Sequence, residues 1–250
     1  MTGNRGFIYL VTNRHMASPV IDGRTVTVRK MSIRANLKTP IGGISSSDGE
    51  LLLGPKFRWY FPKDDAVDLA VLPMALDEDK FDYEAFPTSL FATRNFIQSN
   101  NIAEGDSVLF TGFFYQFPGQ KRMEPIVRQG ILAMLPDEVL QTTLGKPGRL
   151  YLADVHVFGG NSGSPMFVNV AGVKNGSIVY GPNPYRLLGV VSGYFNETEN
   201  FRLQVATTRT GTVAGNSGIS LVVPADELKT LLESTELAQR RDAEIAQTKK

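Results

Sequence analysis

The sequence contains no cysteine, only two histidines and no apolar run near bilayer length, and each absence removes a class of function. Without cysteine there is no disulfide framework, no thiol nucleophile and no thiolate metal site. The histidines, His15 and His156, stand far apart and offer no compact metal-ligand set, so neither a metal nor another cofactor is expected. Lys and Arg number 26 against 25 Asp and Glu, giving a net charge of +1 with no long run of one sign. That balance leaves no broad electrostatic footprint for nucleic acid or anionic lipid. Spanning a bilayer takes roughly 18 consecutive apolar residues, and no stretch comes close, so no membrane span is expected. The opening stretch MTGNRGFIYLVTNRH has an apolar centre of only Phe7 to Thr12 between Arg5 and Arg14 and no small-residue cleavage site, which is not a signal peptide. Cytoplasm is therefore the default compartment, and the sequons at Asn175 and Asn196 matter only for a secreted chain.

What is present is a soluble, core-forming composition in short β-rich pieces. Hydrophobic residues make up 42% of 250 and charged residues 20%, enough for a real core and incompatible with wholesale disorder. Stretches 6–13, 25–35, 57–61, 68–73, 106–113, 125–135, 149–157, 165–170, 185–195, 201–209 and 219–224 are rich in β-branched and aromatic residues and are bounded by Gly, Pro, Asn and Asp. Many short strands with regular turns predict a closed or sandwiched all-β fold. From Ala225 the pattern changes to a helix opened by Pro224, with Asp226 and Glu227 in its first turn. Leu228, Leu231 and Leu232 lie at helical spacing and should dock, whereas the polar stretch after Ala238 should fray or be solvated. A soft boundary near Asn100 divides the chain into 1–100, 101–224 and 225–250.

Gly-Asn-Ser-Gly occurs twice, around Ser162 in GGNSGSP and around Ser217 in AGNSGIS, and by itself the tetrapeptide signals a turn. Nucleophilic serine needs a base, a carboxylate to orient that base, and backbone N–H groups aimed at the developing oxyanion. His15 follows the first apolar strand, Asp68 opens another, and Ser162 lies between glycines ahead of an apolar strand. Alone, His15 reads as structural or exposed and Asp68 as a turn acceptor. In the chain order His, Asp, Ser they match the arrangement of a chymotrypsin-type triad. Neither tetrapeptide has the Lys-Ser/Thr of a phosphate-binding P-loop.

The stretches LVTNRHM, DLAVLP and GGNSGSP resemble the three motif regions of the trypsin-like, chymotrypsin-fold serine peptidases, most like the bacterial Deg-type and glutamyl-endopeptidase-like branches. The resemblance covers nearly the whole chain. It implies two six-stranded-type antiparallel β-barrels with a C-terminal helix, and peptide or protein as the substrate. His15 would be the general base, Asp68 its orienter and Ser162 the nucleophile, with the N–H groups of Gly160 and Ser162 forming the oxyanion hole. LLGVVSGYF is similar to the strand that pairs with substrate, so Ser192, Gly193 and Tyr194 would line the specificity pocket. His156, six residues before Ser162, would stand at the pocket floor, unless it is a satisfied core histidine. Ser217 would belong to the turn feeding the last strand.

The family pattern is broken in two places. Only fourteen residues precede His15, too few for the strand that closes the first barrel, so that barrel is expected to be incomplete or the chain to lack an N-terminal piece. Asn161 stands where zymogens of this type carry an Asp that captures a freed N-terminus, so activation by cleavage is not expected. No peptide-sensing domain is expected after Pro224. The remaining alternative is a catalytically inactive member of the same fold that binds peptides or partners.

Overall fold

A computed structural model describes residues 6–41, 44–174, 177–179, 183–204 and 208–248. MTGNR and the sequon at Asn175 lie outside these. The first half holds β1 (Tyr9–Thr12), α1 (Arg14–Ala17), β2 (Val20–Ile21), β3 (Arg24–Thr25), β4 (Lys30–Ile41), β5 (Ile44–Leu52), β6 (Ala70–Pro73) and the short helix α2 (Arg94–Ser99). The second half holds β7 (Ser107–Phe113), β8 (Pro125–Met134), β9 (Leu140–Gln141), β10 (Pro147–Gly148), β11 (Tyr151–Asp154), β12 (Pro165–Asn169), β13 (Gly172–Lys174), β14 (Ser177–Val179), β15 (Tyr185–Gln204) and β16 (Thr208–Pro224). Helices α3 (Ala225–Leu232) and α4 (Thr235–Thr248) close the chain.

Six strands of the second half form a closed barrel in the order β11-β16-β15-β12-β7-β8, with β8 returning to β11. The period-two pattern explains why these segments curl around one core. Val108 and Phe110 of β7, Leu132 of β8 and Met166 and Val168 of β12 are all fully buried, while their neighbours along each strand face outward or are partly exposed. Closure removes the unpaired edges that would otherwise invite association. This is the all-β barrel with C-terminal helix that the sequence predicts. Strands of the first half, among the described residues, form separate two-stranded ladders, β1 with β6, β2 with β3 and β4 with β5, and do not close.

Several expected elements differ. Residues 57–61 form no strand; Trp59 and Tyr60 are buried as packing residues, and only Tyr60 bridges to Val71. Strand β5 lies in a Ser-, Gly- and Asp-rich stretch that carries little β propensity; it forms because β4 pairs with it from Lys30↔Leu52 to Asn36↔Ser46. Residues 185–195 and 201–204 lie in β15 and 208–209 in β16, two strands of one long ribbon that stay paired as far as Gln204↔Thr208.

The cores place the future site. One cluster fills the barrel and another, with Ala17, Leu53, Trp59, Ala70 and Leu72, fills the first half. A third lies between them, joining Val67, Leu69 and Val71 to Leu150, Leu187, Val223 and Leu228. Asp68 sits between Val67 and Leu69, so packing on both sides fixes its position at this junction.

The stretch after Ala238, expected to fray or be solvated, is helical; it docks at its start through Arg240 and Arg241, and most of residues 242–247 are exposed. Arg241 donates to the Tyr9 hydroxyl at 3.0 Å and to the Leu232 carbonyl at 2.7 Å. Arg240 reaches the Tyr60 hydroxyl, and Arg58, stacked on the Tyr60 ring, pairs with Glu236. Polar side chains hold this helix because the guanidinium groups of Arg240 and Arg241 find phenol oxygens. Leu237 is completely buried at the same contact. Leu237→Ala should therefore destabilise the protein by about 2 to 5 kcal/mol in urea unfolding; a change below about 0.5 kcal/mol, the range of surface substitutions, would contradict the docking.

Candidate active site

His15 lies in the short helix α1 rather than at the end of β1, two residues beyond Asn13, which caps the helix in extended conformation. This turn matters because it points the backbone N–H and the ring of His15 at one carboxylate. His15 N donates to Asp68 Oδ1 at 3.0 Å, and His15 Nδ1 stands 2.7 Å from Asp68 Oδ2. A carboxylate acceptor fixes the proton on Nδ1, which leaves Nε2 as the basic nitrogen of a neutral ring. Asn13 Nδ2 donates to the Asp68 carbonyl at 2.9 Å, tying the two segments together a second time. The Asp68 side chain is fully buried and that of His15 is 32% exposed, so the pair has a dry end and a wet end.

Burial pushes the Asp68 carboxyl up, but hydrogen bonds from the His15 ring, the Ser192 hydroxyl and the His15 backbone, with the imidazole charge, outweigh it and hold the group below the usual carboxylate range. Arg14 beside it donates to the carbonyls of Val67, Pro62 and Asp64. Partial burial lowers the Arg14 guanidinium pKa, opposed by the charges of Asp65, Asp68 and Asp64.

Ser162 lies in a loop whose hydrogen bonds are unevenly spent. Asn161 N donates to Phe158 O, Gly163 N to Val191 O and Ser164 N to Asn161 O, at 3.0, 2.9 and 3.1 Å. The N–H groups of Gly160 and Ser162 have no acceptor among the described residues. Gly160 adopts φ +92°, open to glycine at no cost, which lets the loop turn its amides outward. The buried Asn161 side chain accepts from Phe158 N and donates to Phe113 O, at 2.9 and 2.8 Å, so it braces the loop from behind. That inward role agrees with the absence of an N-terminus-capturing Asp.

Gly163 brings the loop to His15. It has φ +86°, and a Cβ there would meet Thr12 Oγ1 at 2.8 Å and Thr12 Cα at 3.3 Å. Thr12 is three residues before His15, so this contact draws the Ser162 loop against the strand that leads into α1. Gly163→Ala should lower activity about 100-fold by displacing the loop and should also lower the melting temperature; unchanged kinetics in a chymotrypsin-type peptide assay would show that the approach is not critical. In this structure the Ser162 hydroxyl donates to the Ser192 carbonyl at 3.3 Å, and no hydrogen bond joins it to His15.

The segments expected to line a pocket divide. Ser192 is 2% exposed and turned inward: its hydroxyl donates to Asp68 Oδ2 at 2.5 Å, so the side chain serves the carboxylate and only its carbonyl faces Ser162. Gly193 lies against Thr143, and Tyr194 is half-buried against the barrel core. His156 is exposed, which excludes a core histidine; its ring packs on Phe158 at 4.9 Å, and Nδ1 is 3.7 Å from where a Cβ on Gly218 would lie. Ser217 has no hydrogen bond to His15, Asp68 or Ser162. Its hydroxyl donates to Phe195 O at 2.9 Å and accepts from Ile219 N at 3.2 Å, inside the bulge of β16 opposite Phe195.

One residue the sequence did not single out is present. Thr143, in the loop between β9 and β10, has its hydroxyl 2.9 Å from Asp68 Oδ2 and 2.7 Å from Ser192 Oγ. It is 75 residues from Asp68 in the chain, and no local motif marks such a contact.

No protein-family model matches the chain, and no curated protein matches it. Among solved structures it is similar to the apo MamO protease domain from Magnetospirillum magneticum, at 16% identity and TM-score 0.45, over 90% of this chain and 83% of that one. It is similar to Deg5 at 17% identity and TM-score 0.43, over 74% of this chain and 68% of that one. It is also similar to AlgW, an HtrA-type protease solved with a decapeptide, at 19% identity and TM-score 0.45, over 93% of this chain and 55% of that one. The chain thus spans about half the length of AlgW.

Proposed function

We propose that this chain is a serine endopeptidase that cleaves peptide bonds through Ser162, His15 and Asp68. The observation that carries the reading is the buried Asp68 carboxylate holding His15 by both its backbone N–H and its ring Nδ1, next to a loop with two unspent amides. Ser162 Oγ would attack the peptide carbonyl while His15 Nε2 takes its proton; the bond from carbonyl carbon to nitrogen then breaks, and His15 returns the proton to the leaving amine. Gly160 and Ser162 N–H groups would receive the oxyanion. Water, deprotonated by His15, would then split the acyl ester and restore Ser162. The rate should rise through titration of an imidazole, about 6.5 in ordinary peptides; a flat profile between about pH 5 and 8 would count against it.

A second reading has one observation of its own. The Ser162 hydroxyl is hydrogen-bonded to the Ser192 carbonyl and not to His15, as suits a catalytically silent fold that binds peptides or partners. Labelling with a fluorophosphonate probe separates the two. Covalent label on the parent, absent from Ser162→Ala and retained in Ser217→Ala, supports the peptidase; no label on a cooperatively folded parent supports the binding protein.

A further inference from the structure

We propose that Thr143 is a positioning residue that couples the Asp68 carboxylate to the strand carrying Ser192 and Gly193, its hydroxyl serving the first and its methyl the second. The catalytic half of this role rests on the peptidase reading above; the hydrogen-bond half does not.

Proton counting sets the direction of the network. Asp68 Oδ2 has His15 Nδ1 at 2.7 Å, Thr143 Oγ1 at 2.9 Å and Ser192 Oγ at 2.5 Å, while the two hydroxyl oxygens are 2.7 Å apart. Each hydroxyl has one proton. Two protons cannot fill three oxygen–oxygen contacts, so one contact holds none. The carboxylate can only accept, so both hydroxyls donate to Asp68 Oδ2, Ser192 in the shorter contact, and the 2.7 Å contact between the two hydroxyls carries no proton. Thr143 is thus, with Ser192 and the His15 ring, one of three side-chain donors on the oxygen that faces His15.

The methyl makes the second connection. A Cβ built on Gly193 would come within 2.9 Å of Thr143 Cγ2, so the methyl packs directly on the backbone of Gly193. The loop that carries Thr143 is itself pinned. Thr142 N donates to Lys146 O at 2.8 Å, Thr142 is 6% exposed, and Lys146 pairs with Asp65 in the first half. Thr143 thus stands on a short bridge between the two halves.

The charged groups facing this cluster are Asp68 itself, Arg14, Asp64 and Asp65 from the first half and Lys146 from the second. None is altered by substitution at Thr143. Removing the Thr143 hydroxyl withdraws a direct hydrogen bond from the carboxylate, whose charge then bears more fully on the imidazolium.

The test uses the full chain with isotope-labelled histidine; with only His15 and His156 present, His156→Gln assigns both signals. Thr143→Val is isosteric and keeps the methyl. It should raise the His15 titration midpoint by about half a pH unit and lower kcat about tenfold with KM little changed. Thr143→Ser keeps the hydroxyl, and should restore the midpoint and kcat while raising KM about threefold because the contact with Gly193 is lost. A His15 midpoint unmoved in Thr143→Val overturns the proposal, whether or not the protein cleaves peptides. A shifted midpoint in a parent that takes no fluorophosphonate label supports the network and removes the peptidase reading.

Discussion

Ser162→Ala should reduce kcat/KM for a cleaved peptide by about 10⁶-fold, and Ser217→Ala should leave it within about twofold. The two serines share their flanking residues and differ in what surrounds them. Ser162 stands in a loop with two amides free, drawn by Gly163 onto the strand that leads to His15. Ser217 has its hydroxyl committed on both sides, to Phe195 O and to Ile219 N, within the ribbon of β15 and β16. Loss of the Ser162 hydroxyl removes the nucleophile outright, and the residual rate should come from binding and the free amides of Gly160 and Ser162. Active-site titration with a chromogenic ester gives the burst amplitude, which should be near one per chain for the parent and for Ser217→Ala and zero for Ser162→Ala. More than about 1% of parental activity in Ser162→Ala would remove Ser162 from the role of nucleophile.

The parts of this arrangement that were legible in the sequence are those encoded locally. Alternation in β7 and β12 follows from period-two patterning, because Val108, Phe110, Met166 and Val168 all have to face one core. His15 and Asp68 were legible because each sits at the margin of an apolar run. What was hidden depends on contacts between distant residues. Asp68 meets Thr143 across 75 positions and Ser192 across 124, and nothing near Thr143 announces a carboxylate partner. The inward turn of Ser192 follows from the same contact; from sequence alone a serine next to Gly193 reads as pocket lining. The docking of α4 was hidden because its anchors are arginines on Tyr9 and Tyr60, and composition alone shows only the solvated face that most of residues 242–247 do present.

Asp68→Asn should lower kcat about 10⁴-fold at neutral pH, through orientation rather than through loss of bulk. The carboxylate has only acceptors, and its partners are all donors: His15 N on Oδ1, and His15 Nδ1 with the Ser192 and Thr143 hydroxyls on Oδ2. An amide NH₂ must face one set or the other. Against Oδ2's partners it would meet the Nδ1 proton and favour the tautomer with the proton on Nε2, which cannot act as base; against Oδ1's partner it would oppose His15 N–H. The effect on stability has a definite pH signature. The folded-state pKa of Asp68 lies below its unfolded value, ordinarily about 3.9, so its charge stabilises the fold above that pH and the contribution is lost as pH falls through the folded pKa. Urea midpoints of parent and Asp68→Asn should therefore differ most near pH 6 and approach each other near pH 3. A difference that is the same at both pH values would mean that Asp68 contributes shape and hydrogen bonds but no stabilising charge, and that the acid end of the network is organised differently from the arrangement of His15, Ser192 and Thr143 around it.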